Sequence, residues 1–312
     1  MSFNYDDYRK KIENFFVSGI DKAENKLMKK ILFIMTEQAD LSQTIKNASI
    51  FCDKTHTHIK FLNAAHYYSS TLRNMSKKVI TLQEIVDEIE TSDIENSEVA
   101  IVKESLAKEP YESIIEIVNS SQISLIIIQY PFSDTIEAEK VTDYSLGKTL
   151  EQIINNTLIN NNSPPLLLLK NKSLIEEGYN HVVMAGTDWI NDYAFSTLIH
   201  LSNTLQAKVT LLPFIKESIY KESEISNKIL DVSKEVEKFT KEANDWLARH
   251  TYSIEIQKAT ITKNRHEFLK QLEILNPDLV ALYVPRKTEV IESFMEIVRK
   301  TQTSIIIVPE LV

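Results

Sequence analysis

The sequence predicts an α/β protein made of two tandem, open, parallel five-stranded sheets behind a leading helix. Three observations carry this. Short apolar runs without polar alternation, such as Leu125–Gln129 and Leu166–Leu169, suit strands covered on both faces of a parallel sheet. Segments with helical spacing separate them. The whole order then recurs once along the chain.

Taken in order, residues 1–29 form one helix. Tyr5, Tyr8, Ile12, Phe15, Phe16, Ile20, Ala23 and Leu27 make a single apolar stripe, which reads as a lead-in helix packed on the adjoining domain. Strands come next at Ile31–Met35, Ile59–Ala64, Val99–Val102, Leu125–Gln129 and Leu166–Leu169. Helices alternate with them near residues 41–55, 82–89, 110–119 and 146–158, the third opened by Pro110. The second series has strands at Val182–Ala185, Val209–Phe214, Tyr252–Ile261, Leu279–Val284 and Ser304–Val308. Its helices cover about 193–205, 265–274 and 290–300, plus a long one bearing Ile225, Ile229, Val232, Val236, Phe239, Ala243 and Trp246. That last stripe alternates spacings of four and three, and it reads as a core-facing face.

The two series align directly. Met35-Thr36-Glu37 answers Gly186-Thr187-Asp188 at an offset of 151, Leu125–Pro131 answers Leu279–Pro285 at 154, and Leu166–Leu169 answers Ile305–Val308 at 139. An internal duplication accounts for this. The expected domains are residues 30–172 and 180–312, with a linker near Ser173–Tyr179 that contains Gly178. The terminal runs Leu166–Leu169 and Ile305–Val308 would be sticky as bare sheet edges, so pairing with each other or with another chain is expected.

Composition narrows the function. A length of 312 residues fits two domains at roughly 100–200 residues each. One cysteine, Cys52, excludes an internal disulfide and multi-cysteine metal sites and suits a reducing, cytoplasmic setting. The net charge of −9 and the lack of any extended basic cluster argue against nucleic acid or anionic lipid as partner. No apolar run spans a bilayer or forms a signal-peptide core. Only four glycines occur, Gly19, Gly147, Gly178 and Gly186, where typical usage is about 7%. None are clustered, which excludes the GxGxxG and GxxxxGK[ST] phosphate loops.

Two βαβαβαβαβ series, each opening on a strand end of the type seen at Ile34-Met35-Thr36-Glu37 and Ala185-Gly186-Thr187-Asp188, resemble the universal stress protein family in its tandem form. The resemblance implies Rossmann-like sheets of the adenine nucleotide alpha hydrolase type. It also implies pairing through the last strands, so that the two halves form an intrachain pseudo-dimer, with a homodimer as a further option. Many members bind ATP or a related nucleotide at the carboxyl ends of the strands. An Asp after the first strand approaches the adenosine; Glu37 and Asp188 hold that position here, preceded by Thr36 and Thr187. A G-x2-G-x9-G-[ST] signature after the fourth strand lets backbone amides close on phosphate. The first half has Tyr130-Pro131-Phe132-Ser133-Asp134 where it should begin, and only Gly147, followed by Lys148 and Thr149, matches its end. The second half has Pro285-Arg286-Lys287-Thr288-Glu289 and no glycine there. Side chains at those positions would hold phosphate off the amides, and Asp134, Glu137, Glu139 and Asp143 would repel it. No tight ATP site, and no cofactor, is therefore expected in the family's usual pose.

Other constellations read as structural. Cys52, His56, His58 and His66 match no common zinc spacing and fit a helix core residue beside a helix-to-strand turn; no metal is expected. The acidic stretches 84–95 and 217–237 read as solvated helix faces. Two functional readings stay open. The preferred one is a non-enzymatic stress-response or regulatory protein with degenerate nucleotide sites, acting through protein contacts. The alternative is a binder of ATP, AMP or another small ligand at an altered second-half site, with Thr187, Asp188, Trp189, Arg286 and Lys287 as its residues and Trp189 as a stacking face. A hydrolase is disfavoured, because neither a general base nor a paired carboxylate can be assigned.

Overall fold

A computed structural model of the chain describes residues 30–35, 58–63, 97–101, 116–118, 123–129, 164–169, 179–186, 205–215, 222–249, 254–284, 297–298, 300–301 and 303–309, with Asp87 and Ser202. Five strands lie in the first half: β1 (Lys30–Met35), β2 (His58–Asn63), β3 (Ser97–Ile101), β4 (Leu125–Gln129) and β5 (Leu166–Leu169). Five more lie in the second: β6 (His181–Gly186), β7 (Lys208–Pro213), β8 (Ile256–Lys258), β9 (Leu279–Val284) and β10 (Ser304–Pro309). Helix α1 (Glu222–Arg249) joins β7 to β8, and α2 (Arg265–Leu275) joins β8 to β9. The chain divides into two compact units, one holding β1–β5 and the other β6–β10.

Within the first unit the strand order is β3-β2-β1-β4-β5, and within the second β8-β7-β6-β9-β10, with the paired strands parallel. The register is also the same. Ile31 faces Leu125 as Val182 faces Leu279, and Ile126 faces Leu166 as Val280 faces Ile305. The offsets 151, 154 and 139 read from the sequence therefore carry one set of strand pairs onto the other.

The missing polar alternation has its expected cause. Ile31, Leu32, Phe33 and Ile34 are all fully buried, as are Leu166, Leu167 and Leu168, so successive side chains on opposite faces both find cover. Phe33 and Phe61 pack at a centroid distance of 5.7 Å across neighbouring β1 and β2. In α1 the buried line is Val232, Val236, Phe239, Ala243 and Leu247; Leu247 continues the stripe four residues beyond Ala243, and the side chain of Trp246 lies outside the described residues. Asn264 caps α2, its Oδ1 accepting from Glu267 N at 3.0 Å, while Glu267 Oε2 accepts from Lys263 N at 2.9 Å. This is a capping box shifted by one residue. Asn276 ends the helix in the left-handed region at φ 42°, a position Asn tolerates well.

Strands β4, β5 and β9 have the expected bounds, and the other strands shift by one or two residues at an end, except β8. The sequence predicts a single strand over Tyr252–Ile261, yet β8 covers only Ile256–Lys258. For the carboxyl end, Pro213 supplies the reason. Val209 N donates to Glu255 O and Leu211 O accepts from Ala259 N, so alternate β7 residues face β8. The next in that series is Pro213, which has no N–H to give. The ladder stops, the chain gains a residue, and pairing resumes where Thr262 N donates to Pro213 O at 3.0 Å and Ile215 N to Thr262 O at 2.8 Å. Of the remaining helices, residues 87, 116–118, 202, 205, 297–298 and 300 are described and are helical. The leading helix 1–29, the helices at 41–55 and 146–158, and the linker before Tyr179 lie outside the described residues.

Both units fix the amino end of their central strand at equivalent positions with different chemistry. In the first, Ser124 N donates to Lys30 O at 2.8 Å, Lys30 N donates to Ser124 Oγ at 3.0 Å, and Ser124 Oγ donates to Lys30 O at 2.9 Å. In the second, Asp278 N donates to His181 O at 2.9 Å, and Asp278 Oδ2 accepts from Asn180 N at 2.8 Å and His181 N at 2.9 Å. The His181 ring sits beside Thr210, with Nε2 and Oγ1 2.8 Å apart. Its pKa is lowered, first by burial and then by the Lys208 charge, against the opposing pull of Asp278 and the Leu275 backbone. Burial pushes Tyr179 up to about 12, with Asp278 adding to the rise and a hydrogen bond from Ser304 opposing it.

Two outcomes are expected at this edge. Asp278→Ala removes an ionised acceptor serving two amides, and should lower unfolding free energy by about 2 kcal/mol in a denaturant titration; Ser124→Ala removes a neutral group and should cost less. Because the folded pKa of His181 lies below its unfolded value, its stabilising effect is complete above about pH 6.5 and is lost as pH falls through the folded value. Thermal midpoints measured across acid pH should decline less steeply in His181→Gln than in the wild type.

Candidate functional site

In a parallel sheet the chain leaves every strand at one edge, and ligands bind there where the strand order reverses. Each unit has one such reversal. From β1 the chain moves outward to β2 and β3, then returns to the other side of β1 for β4 and β5; β6 to β10 repeat this path. The reversals fall between β1 and β4 and between β6 and β9.

The carboxyl ends are level at the first reversal and one residue apart at the second. Ile34 faces Ile128, and β1 and β4 end at Met35 and Gln129. Ala185 faces Leu282, and β6 and β9 end at Gly186 and Val284. Thr187-Asp188-Trp189 and Pro285-Arg286-Lys287 therefore continue directly in sequence from neighbouring strand ends, and Thr36-Glu37 continues directly from β1. Thr36, Glu37, Gly147, Lys148, Thr149, Thr187, Asp188, Trp189, Arg286 and Lys287 themselves lie outside the described residues. The two reversals differ at the last residue of the central strand. The second has Gly186, which brings no side chain, where the first has Met35.

At the second reversal the described residues are those of the strands themselves and of α2. Met184, Ala185, Leu282 and Tyr283 are buried and give an apolar base under the strand ends. Beyond β7, Phe214 meets Phe268 of α2 edge-on at 6.0 Å. The amino end of α2 also opens on this edge, where Asn264 Oδ1 accepts from the Glu267 amide and Glu267 Oε2 from the Lys263 amide just before the helix. The perturbed Tyr179 and His181 stand at the opposite, amino edge and do not join this site.

Of the Cys-His set only His58 is described; it is exposed at the start of β2, and Cys52, His56 and His66 lie outside the described residues. Among the described residues no three His, Cys, Asp or Glu side chains converge as metal ligands, and no helix is long and apolar enough to cross a membrane. The sequence pattern does not single out Tyr179, His181, Asp278 or Ser304. Their signal is faint, because each is an ordinary polar residue beside an apolar run.

No family model and no curated protein matches the chain. Solved structures do. A putative universal stress protein from Pseudomonas aeruginosa UCBPP-PA14 is 14% identical with a TM-score of 0.53, the match covering 91% of this chain and 94% of that one. A universal stress protein from Archaeoglobus fulgidus DSM 4304 is 14% identical with a TM-score of 0.57, covering 90% and 96%. A functionally unknown protein from Pseudomonas aeruginosa PAO1 is 14% identical with a TM-score of 0.52, covering 92% and 94%. At this identity the likeness is one of architecture, and the chain has the parallel α/β fold of the universal stress proteins.

Proposed function

We propose that the chain is a non-enzymatic protein of the universal stress type, two domains in tandem with degenerate nucleotide sites, that acts in the cytoplasm in stress response through protein contacts. The observation that supports it is the shared strand order and register of β1–β5 and β6–β10, set against a sequence with no glycine cluster after β4 or β9. A duplicated frame has been kept while the residues that let amides wrap a polyphosphate are absent. Calorimetric titration with ATP, ADP and AMP should give no binding tighter than about 1 μM, or roughly −8 kcal/mol; a tighter site in either half defeats this reading.

A second reading keeps one altered adenosine site in the second half. It is favoured by the adjacency of β6 and β9, whose ends precede the Thr187-Asp188-Trp189 and Arg286-Lys287 segments in sequence, and by Gly186 at the strand end. In it Trp189 stacks on the base, Asp188 accepts from the ribose or an amine, and Arg286 and Lys287 offset phosphate charge. In a Trp246→Phe background, AMP or ATP should quench Trp189 fluorescence and Asp188→Ala should abolish the quench. An identical spectrum with and without nucleotide rejects it.

A further inference from the structure

Among the described residues strand β8 is last in its order, and its backbone faces alternate. Glu255 O accepts from Val209 N, and Ala259 N donates to Leu211 O, so the odd-numbered residues serve β7. The N–H and C=O of Ile256 point the other way, where an edge strand offers a template to any extended chain. They are already engaged. Ile256 N donates to Asn244 Oδ1 at 2.8 Å, and Asn244 Nδ2 donates to Ile256 O at 2.7 Å.

A carboxamide carries the donor and acceptor of a peptide group, so Asn244 reproduces both bonds of a paired strand residue. It does so from a fixed support. Ala243 and Leu247 of α1 are fully buried on either side of it, and the Ile256 side chain is 1% exposed. At Lys258, the next residue facing outward, the ammonium meets Glu237 Oε2 of the same helix at 3.1 Å. That exposed ion pair adds little stability, but a lysine on an edge strand opposes pairing with another strand.

We propose that Asn244 is an edge guard: its amide fills the outward backbone pair of β8 and closes this side of the sheet to strand addition by a second copy of β8. Hydrogen bonding of Ile256 is thus diverted from intermolecular to intramolecular use. The test uses the full chain and a synthetic peptide of residues 252–260 as the added strand. Asn244→Ala should bind the peptide at least ten-fold more tightly than wild type and shift to larger species in sedimentation velocity with rising concentration. Asn244→Asp keeps the acceptor but sets a carboxylate against the Ile256 carbonyl, and should change in the same direction. Wild-type protein should protect the Ile256 amide in hydrogen exchange, and Asn244→Ala, which lacks the acceptor, should lose that protection without peptide. The proposal is overturned if a folded variant neither binds peptide nor self-associates more than wild type. It is equally overturned if the wild-type Ile256 amide exchanges freely, a measurement that stands even where a variant does not fold.

Discussion

A strand covered on both faces and paired along both edges can meet solvent only at its ends. That constraint governs both units. In β1 the four residues Ile31–Ile34 are fully buried, with β2 and β4 on either side. β6 has the same surroundings, with Val182 and Val183 fully buried between β7 and β9. Chemistry is thereby pushed to two edges of each sheet: an amino edge, where strands begin, and a carboxyl edge, where they end and the strand order reverses.

At the amino edge a polar side chain holds the start of each central strand. Ser124 and Asp278 occupy equivalent positions and hold equivalent strand starts, one through a hydroxyl and the other through a carboxylate. The geometry outlasts the residue type because what must be satisfied is the backbone of the central strand, and either oxygen can accept from it. In the second unit the carboxylate brings a wider network with it, reaching His181, Thr210, Tyr179 and Ser304.

The carboxyl edge can change without unfolding the frame. Phosphate wrapping depends on loop backbone freedom, while sheet formation depends on apolar strands and their register, so glycines can be lost while the strands persist. This separability is why architecture alone is a weak guide to activity. At 14% identity the likeness to a solved structure is one of fold.

Local sequence decided a good deal. Apolar runs marked every strand but β8, which they made too long, the spacing of Val232, Val236, Phe239 and Ala243 marked α1, and the three offsets between the halves anticipated the register, because side-chain burial on a pleated strand leaves a pattern that neighbouring residues reveal on their own. The candidate site residues named from the sequence, among them Thr187, Asp188, Trp189, Arg286 and Lys287, lie outside the described residues; of the site, only the strand ends that precede those stretches are placed. Tertiary structure decided what depends on partners far apart in the chain. Pro213 shortens β8 because its absent N–H matters only opposite Ala259, Asp278 matters because it lies beside His181, and Asn244 finds Ile256 only once α1 has packed on the sheet. A hydrogen bond needs both of its ends in place, and only the folded chain sets the second.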